Sequence, residues 1–216
     1  MNFAIIAQQL VSGMGSSLMI FVLTLLFSMP LGLLVAFGRM SKIKPLQAVI
    51  KVFIAILRGT PLMLQLLVVN FAPYYLFRIS LPRWYRFAAI IIGFSINYAA
   101  YFAEIYRSGI ESIPKGQYEA ASVLGYNKNQ TFFRIIFPQM VKRVLPPVTN
   151  EVITLVKDTS LAFVLAYEEM FTVAKQIASA RTSIMPLFVA GVFYFIFNAV
   201  VAVAMERIEK KLSYYH

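Results

Sequence analysis

Long apolar runs alternate with short polar loops along the chain, and this pattern predicts five membrane-spanning helices. The predicted spans cover residues 17–37, 52–76, 85–106, 144–167 and 186–205. Each run is near the roughly 20 residues that cross a bilayer core, which is too long and unbroken for the buried helices of a soluble protein. The pattern therefore predicts an all-α membrane protein with a single transmembrane domain over residues 1–216.

The composition supports a membrane protein and excludes several kinds of chemistry. Hydrophobic residues make up 60% of the 216 and charged residues 13%, with a mean hydropathy of +0.73. Soluble domains carry about a quarter charged residues. The absence of cysteine excludes disulfides and thiolate chemistry, and His216 is the only histidine, so we expect no metal site. No catalytic constellation stands out, and we predict neither enzymatic activity nor a cofactor bound by this chain.

The basic residues indicate the orientation of the chain in the membrane. They are scattered between apolar runs rather than gathered in one stripe, so the net charge of +11 does not favour nucleic-acid binding. The first and third loops and the C-terminal tail hold fourteen of them, against five in the second and fourth loops. Cytoplasmic loops collect Lys and Arg, which places the N-terminus outside and the C-terminus in the cytoplasm. Five helices would hardly enclose a solute path alone, so we expect a dimer.

The loop between the third and fourth predicted spans, at about residues 112–140, is predicted to form two short helices. Pro114 ends the preceding helix, and residues 116–124 are rich in helix formers. Gly125 stands where a helix ends in a left-handed residue. Asn127 and Gln130, three residues apart, are typical of a capping box that begins a second helix. Pro138 is then expected near the end of that second helix.

The spacing of residues in this loop resembles the EAA loop of binding-protein-dependent ABC importer permeases. The matching positions are Glu119, Ala120, Ala121, Gly125, Ile135, Phe137 and Pro138, with Phe137 where the family usually has Leu. Residues 58–65 (RGTPLMLQ) and 157–161 (KDTSL) look like the polar amino acid subgroup, the histidine, arginine and glutamine permeases. The resemblance extends from about residue 13 to the end.

The resemblance implies a type I ABC importer permease fold in a bacterial inner membrane. It further implies two ATP-binding subunits, a second permease copy and an extracytoplasmic solute-binding protein as partners. The loop helix would sit in a cleft on an ATP-binding subunit, with Ala120 and Ala121 permitting close approach, Gly125 at the closest turn and Glu119 accepting a charged hydrogen bond. The alternative for Glu119 is a simple charge near a helix N-terminus. No Gly-rich phosphate loop is present, so ATP is expected on the partner.

Polar residues within the predicted spans are the candidate substrate ligands, because ionisable groups in a bilayer are costly. On a helical projection, the five in the fourth span occupy one arc of about 120°. They are Asn150, Glu151, Thr154, Lys157 and Asp158. Lys157 is assigned to pairing with Asp158 or Glu151, which leaves a carboxylate for an amino acid. We therefore favour basic substrates (arginine, histidine or lysine), with glutamine as runner-up.

Other spans add three candidate ligands and leave two further functions open. Asn97 and Tyr101 lie one turn apart in the third span, where packing alone would also explain the tyrosine. Gln65 lies one turn beyond Pro61, which with Gly59 is expected to disturb the second span. The same carboxylates, Glu151 and Asp158, could instead serve a channel or proton-coupled carrier as a relay. A purely structural membrane subunit is the remaining alternative.

Overall fold

The computed structural model describes residues 3–212, and within that range the chain is helical throughout apart from short turns. The helices are α1 (Phe3–Arg39), α2 (Lys44–Gly59), α3 (Leu62–Phe77), α4 (Tyr85–Glu111), α5 (Lys115–Val123), α6 (Lys128–Gln130), α7 (Phe137–Asp158), α8 (Met170–Arg181) and α9 (Met185–Leu212). A π-helical segment, Thr131–Ile136, joins α6 to α7, and a 3₁₀ segment, Thr159–Leu165, follows α7. His216 lies outside the described residues.

Three of the described helices, α1, α4 and α9, are long and apolar enough to cross a membrane. They contain the first, third and fifth predicted spans and extend beyond them. The pair α2 and α3 makes a fourth candidate if it is counted as one span. The fourth predicted span does not form one helix, because α7 ends at Asp158 and 3₁₀ geometry follows. Helix α7 is less apolar than α1, α4 and α9 because it carries five charged residues: Lys142, Arg143, Glu151, Lys157 and Asp158.

The second predicted span is two helices that meet at an angle of 111°. Thr60, with extended backbone, ends α2, and Pro61 caps the start of α3. Proline has no N–H and clashes with the preceding turn, so the helix cannot continue through it. The disturbance predicted at Gly59 and Pro61 is confirmed, and it is a full break rather than a bend within one helix.

Helix α4 is the centre of the core, and its closest neighbour is α1. The α4 residues Ala99, Ala100 and Ala103 are fully buried. On α1, a Cβ added to Gly32 would lie 2.8 Å from the Cβ of Phe102 and 3.1 Å from the carbonyl oxygen of Ala99. Small residues at such contacts let two helices approach closely in a membrane. The close packing of α1 against α4 therefore fixes the position of α4 and of its polar residues.

A fully buried carboxylate, that of Glu169, ties three helices together. It caps α8 by accepting hydrogen bonds from the backbone N–H groups of Phe171 and Thr172, both at 2.7 Å. The hydroxyls of Thr172 (2.9 Å), Tyr194 of α9 (2.9 Å) and Ser17 of α1 (3.4 Å) also donate to it. Just before it, Ala166 adopts a left-handed conformation with φ of 50° at the end of the 3₁₀ segment. Polar bonds thus fix α8 to α1 and α9.

Replacing this carboxylate should destabilise the protein. Glu169→Ala removes a helix cap and leaves several buried donors without an acceptor, which we expect to cost about 3 kcal/mol. The neighbouring Glu168 is exposed, so Glu168→Ala is the matched control and should change stability little. Thermal unfolding of the two purified variants in detergent measures the difference. Equal unfolding midpoints would show that the Glu169 contacts do not stabilise the fold.

Candidate functional site

The loop after α4 has the local structure that its residues predict. Helix α5 begins directly after Pro114, and the chain turns at Gly125 with φ of 78°. The side chain of Asn127 accepts from the N–H of Gln130 at 2.9 Å, while the side chain of Gln130 accepts from the N–H of Asn127 at 3.0 Å. The predicted glycine turn and capping box are both confirmed. Together they define the turn that joins α5 to α6.

The second short helix does not end at Pro138, contrary to the prediction. Pro138 is the second residue of α7, and α6 runs without a break through the π-helical segment into α7. A proline inside a continuous helix removes one backbone hydrogen bond and crowds the preceding turn. The widened π turn before it is a common way to absorb a local irregularity within a helix. The loop is therefore joined rigidly to α7 rather than hinged at Pro138.

The exposed part of this loop forms what we call the coupling surface, which contains Glu119, Ala120, Val123, Leu124, Gly125 and Phe133. Val123, Leu124 and Phe133 are 87%, 73% and 65% exposed. None of these three apolar residues was among the predicted docking residues, although their position on a loop predicted to face water was a usable signal. Ala121 is only 1% exposed and faces the interior of the chain, so Ala120 is the one alanine of this predicted pair that lies at the surface. Burial raises the pKa of the nearby Tyr118 hydroxyl, which stays protonated.

The break between α2 and α3 is closed by two side-chain amides. The Nε2 of Gln65 donates to the carbonyl oxygens of Leu57 (2.8 Å) and Thr60 (3.1 Å). The Nδ2 of Asn97 donates to the same Leu57 oxygen (3.1 Å) and to the Oε1 of Gln65 (3.0 Å). Carbonyls freed by a broken helix need such partners inside a membrane. The structure thus joins two predicted ligands, Gln65 and Asn97, to the helix break and to each other.

A cavity of about 490 Å³ lies between the ends of α2, α4 and α7. Its lining residues are Arg58, Tyr101, Glu104, Ile105, Arg107, Ser108, Gly109, Ser112, Arg143, Pro147 and Glu151. The volume is in the range of small-molecule sites. Two predicted ligands, Tyr101 and Glu151, therefore border one space. The lining holds three guanidinium groups and two carboxylates, so the excess of carboxylate expected around the α7 arc does not extend to this cavity.

Internal bonds occupy most of the charges around the cavity. Glu104 pairs with Arg107 at 2.7 Å and with Arg39 at 3.8 Å. Within the described part of the chain, Arg58 and Glu151 form no ion pair within 4 Å. The guanidinium carbon of Arg58 lies 5.1 Å from the ring centroid of Tyr101, over its face. Arg143 donates a hydrogen bond to the carbonyl oxygen of Ser112. One cation, Arg58, and one anion, Glu151, are thus available at the same cavity. Arg58 lies in the RGTPLMLQ motif but was not among the predicted site residues.

The predicted polar arc of α7 has an exposed part and a sheltered part. Asn150 and Lys157 are exposed, whereas Glu151, Thr154 and Asp158 are half-buried. The Oδ2 of Asp158 accepts from the hydroxyl of Tyr98 at 2.8 Å. The predicted pairing of Lys157 with Asp158 or Glu151 is wrong, because no such ion pair within 4 Å is found among residues 5–212. Glu151 and Asp158 are seven residues apart, and they project from nearly the same side of α7.

This helical architecture is that of the permease chains of type I ABC importers. One chain of a crystal structure of an amino acid ABC transporter with histidines matches with a TM-score of 0.87 and 29% identity, covering 98% of this chain and 99% of that one. A chain of the MetNI methionine ABC transporter in an inward-facing conformation matches with a TM-score of 0.78, 99% and 100% coverage and 18% identity, a likeness of fold alone.

Sequence comparison gives the family. The model of the family described as "Binding-protein-dependent transport system inner membrane component" matches residues 28–214, and the chain belongs to this family. Similar proteins include the L-cystine transport system permease protein TcyB of Bacillus subtilis, 37% identical over 90% of this chain and 82% of that protein. The arginine transport system permease protein ArtQ of the same organism is 30% identical over 94% and 92%. A putative glutamine transport system permease protein, GlnP, of Rickettsia felis is 34% identical over 88% and 87%.

The chain is therefore an inner-membrane permease subunit of an amino-acid ABC importer and not an enzyme. The relatives differ in the amino acid that their names give. The family alone thus leaves open which amino acid this chain carries, and the side chains around the cavity and along α7 are what can discriminate.

Proposed function

We propose that the chain imports an α-amino acid that binds in this cavity and against the sheltered face of α7. The observation that supports it is that Arg58 and Glu151 border one cavity and that neither forms an ion pair within 4 Å among the described residues. An α-amino acid offers a carboxylate and an ammonium group at the same carbon. A guanidinium binds a carboxylate through two parallel hydrogen bonds, and a carboxylate binds an ammonium group well.

Among amino acids, we favour the basic ones over glutamine. Seven residues of α-helix place Glu151 and Asp158 roughly 10 Å apart along α7. Two carboxylates at that spacing suit a solute with two cationic groups, such as arginine or lysine. Cystine, which the name of a relative gives, also carries two ammonium groups. Glutamine has one cationic group and would leave one carboxylate without a charged partner, so it remains the runner-up.

The other predicted ligands take supporting roles in this proposal. Tyr101 borders the cavity beneath Arg58, and Thr154 lies between the two carboxylates on α7. Gln65 and Asn97 hold the broken helix in place through Leu57, and so they would position the end of α2 that carries Arg58. Asn150 is an exposed residue of the same polar arc of α7 and would also face the translocation path.

A second permease copy would complete this path. Asn150 and Lys157 are exposed on α7, which falls in the fourth span predicted from the sequence, and lipid would leave such groups without polar partners. A homodimer that brings the α7 faces of two copies together would enclose both residues in a shared polar space. We keep the N-terminus outside and the C-terminus in the cytoplasm, an orientation that rests on the distribution of basic residues.

Two ATP-binding subunits would supply the energy through the coupling surface. Val123, Leu124 and Phe133 are exposed apolar side chains on the side of the molecule that carries α5 and α6, and large exposed apolar patches mark interaction sites. Glu119 is exposed on the same helix and would accept a hydrogen bond from a basic residue of the ATP-binding subunit. Because α6 continues into α7, a displacement at this surface would move the helix that carries Glu151 and Asp158. An extracytoplasmic solute-binding protein would deliver the amino acid.

Transport by the reconstituted complex tests the proposal. The chain would be purified with its ATP-binding subunits and placed in liposomes loaded with ATP, with the solute-binding protein and labelled arginine outside. We expect uptake that requires ATP, that persists when the proton gradient is collapsed, and that lysine inhibits more strongly than glutamine. Uptake driven by a proton gradient alone would favour a carrier that uses Glu151 and Asp158 as a relay. Stronger inhibition by glutamine than by lysine would favour glutamine as the substrate. No uptake with either ATP or a proton gradient would favour a structural subunit.

A further inference from the structure

The loop between α3 and α4, residues 78–84, is basic and has no acidic residue near it in the sequence. Arg78, Arg83 and Arg86 lie in or beside it, and no Asp or Glu occurs between Lys51 and Glu104. All three arginines are exposed. Cytoplasmic loops collect basic residues, yet this loop is on the side opposite to the most basic loops in the orientation we propose. The positive charge here therefore has no explanation in topology and no acidic neighbour along the chain.

A pocket of about 320 Å³ lies beneath this loop. Its polar lining consists of Asn70, Tyr74, Tyr75, Arg83, Tyr85 and Arg86. The hydroxyl of Tyr85 donates to the carbonyl oxygen of Val69 at 3.0 Å, and the Nη1 of Arg86 donates to the carbonyl oxygen of Ala166 at 3.2 Å. These bonds hold a ring and a guanidinium at fixed positions in the pocket wall. Arg83 forms no ion pair within 4 Å in the described part of the chain.

The surface around the pocket is apolar and aromatic. Tyr75, Leu76, Phe77 and Trp84 are each between 68% and 71% exposed. Tyrosine and tryptophan collect where the hydrocarbon of a bilayer meets the headgroups. Such residues are typical of the membrane–water interface, where a phospholipid has its anionic headgroup next to its acyl chains.

We propose that this pocket binds the phosphate headgroup of an anionic phospholipid. The phosphate oxygens would accept hydrogen bonds from Arg83 and Arg86, since a guanidinium binds phosphate in a bidentate manner. The acyl chains would lie against Tyr75 and Phe77. An acidic protein surface could match the arginines, but it would leave the aromatic and aliphatic rim facing hydrocarbon without any role in the contact. A phospholipid matches both parts.

The test measures lipid retained by the whole importer complex. The complex would be assembled in nanodiscs of equal phosphatidylglycerol and phosphatidylcholine, extracted into detergent, and its bound lipid counted by native mass spectrometry. We expect preferential retention of phosphatidylglycerol, reduced roughly tenfold in the variant with Arg83→Gln and Arg86→Gln, since this variant lacks both guanidinium groups that would bind the phosphate. Arg83→Gln alone should give a partial loss, and it breaks no ion pair within 4 Å among the described residues.

Arg78→Gln is the matched control, because Arg78 is an exposed arginine of the same loop that does not line the pocket. Retention should be unchanged in this variant. Equal loss in Arg78→Gln would show a diffuse effect of charge and overturn the pocket. Release of the lipid by millimolar inorganic phosphate would show a site for the free ion rather than for a lipid. Unchanged lipid retention with weakened binding of the solute-binding protein, in the double variant, would assign the arginines to a protein contact instead.

Discussion

A leucine at position 125 should prevent the permease from holding its ATP-binding subunits. Gly125 has a φ of 78°, and the left-handed conformation costs a residue with a side chain about 1–2 kcal/mol. A Cβ at this position would meet nothing within 4 Å inside the chain, so the effect would come from backbone strain and from the bulk presented to the partner. We expect Gly125→Leu to redirect α5 and to abolish co-purification of the ATP-binding subunits, while the membrane domain stays folded.

Two further variants separate strain from bulk at this turn. Asparagine tolerates the left-handed conformation better than other residues with side chains, so Gly125→Asn should retain part of the co-purification. Gly116→Ala, in α5, also points into open space, has no left-handed conformation to maintain and favours the helix. It should bind the ATP-binding subunits normally. Normal co-purification by Gly125→Leu would contradict the role of this turn in docking.

Loss of either carboxylate on α7 should reduce transport while the complex still assembles. Glu151 borders the cavity and Asp158 accepts from Tyr98, and both are half-buried. A hydrogen bond to a charged group contributes about 1.5–3 kcal/mol, so Glu151→Ala and Asp158→Ala should each lower uptake by roughly 10- to 100-fold. ATP-driven uptake of labelled arginine by the reconstituted complex measures the effect, with co-purification of all subunits as the measure of assembly.

Glu168 supplies the control for this prediction. It is exposed and does not line the cavity, so Glu168→Ala removes a carboxylate outside the proposed site. Uptake by that variant should stay near that of the unaltered chain. If all three variants lose uptake equally, the effect would follow general charge rather than substrate contacts. Full uptake by both α7 variants would remove them from the substrate path.

The local structure of the coupling loop was readable from sequence because short-range bonds determine it. The capping box of Asn127 and Gln130 joins residues three apart, and Gly125 satisfies a need of its own backbone. The same is true of the break at Pro61, which follows from the chemistry of proline. What the sequence did not predict is the 111° angle of that break, because it depends on packing against α4.

The candidate site was only partly predictable, because contacts between residues far apart in the chain assemble it. Asn97 bonds to Gln65, 32 residues away, and to Leu57, 40 residues away. Reading α7 alone suggested an excess of carboxylate, but α2 and α4 bring Arg58 and Arg107 to the same cavity. The predicted partner of Lys157 failed for a related reason. A helical projection shows that Lys157 and Asp158 lie within one arc of α7. It does not show that Tyr98 of α4 donates a hydrogen bond to Asp158.

The 3₁₀ segment after α7 is expected to be less rigid than helix α8, which follows it. After this segment, Glu169 anchors α8 to α1 and α9, whereas the segment itself has i→i+3 hydrogen bonds of poorer geometry and ends in the left-handed Ala166. A swing of α7 relative to the anchored group would therefore be absorbed within these seven residues. Their amide protons should exchange with solvent deuterium sooner than those of α8.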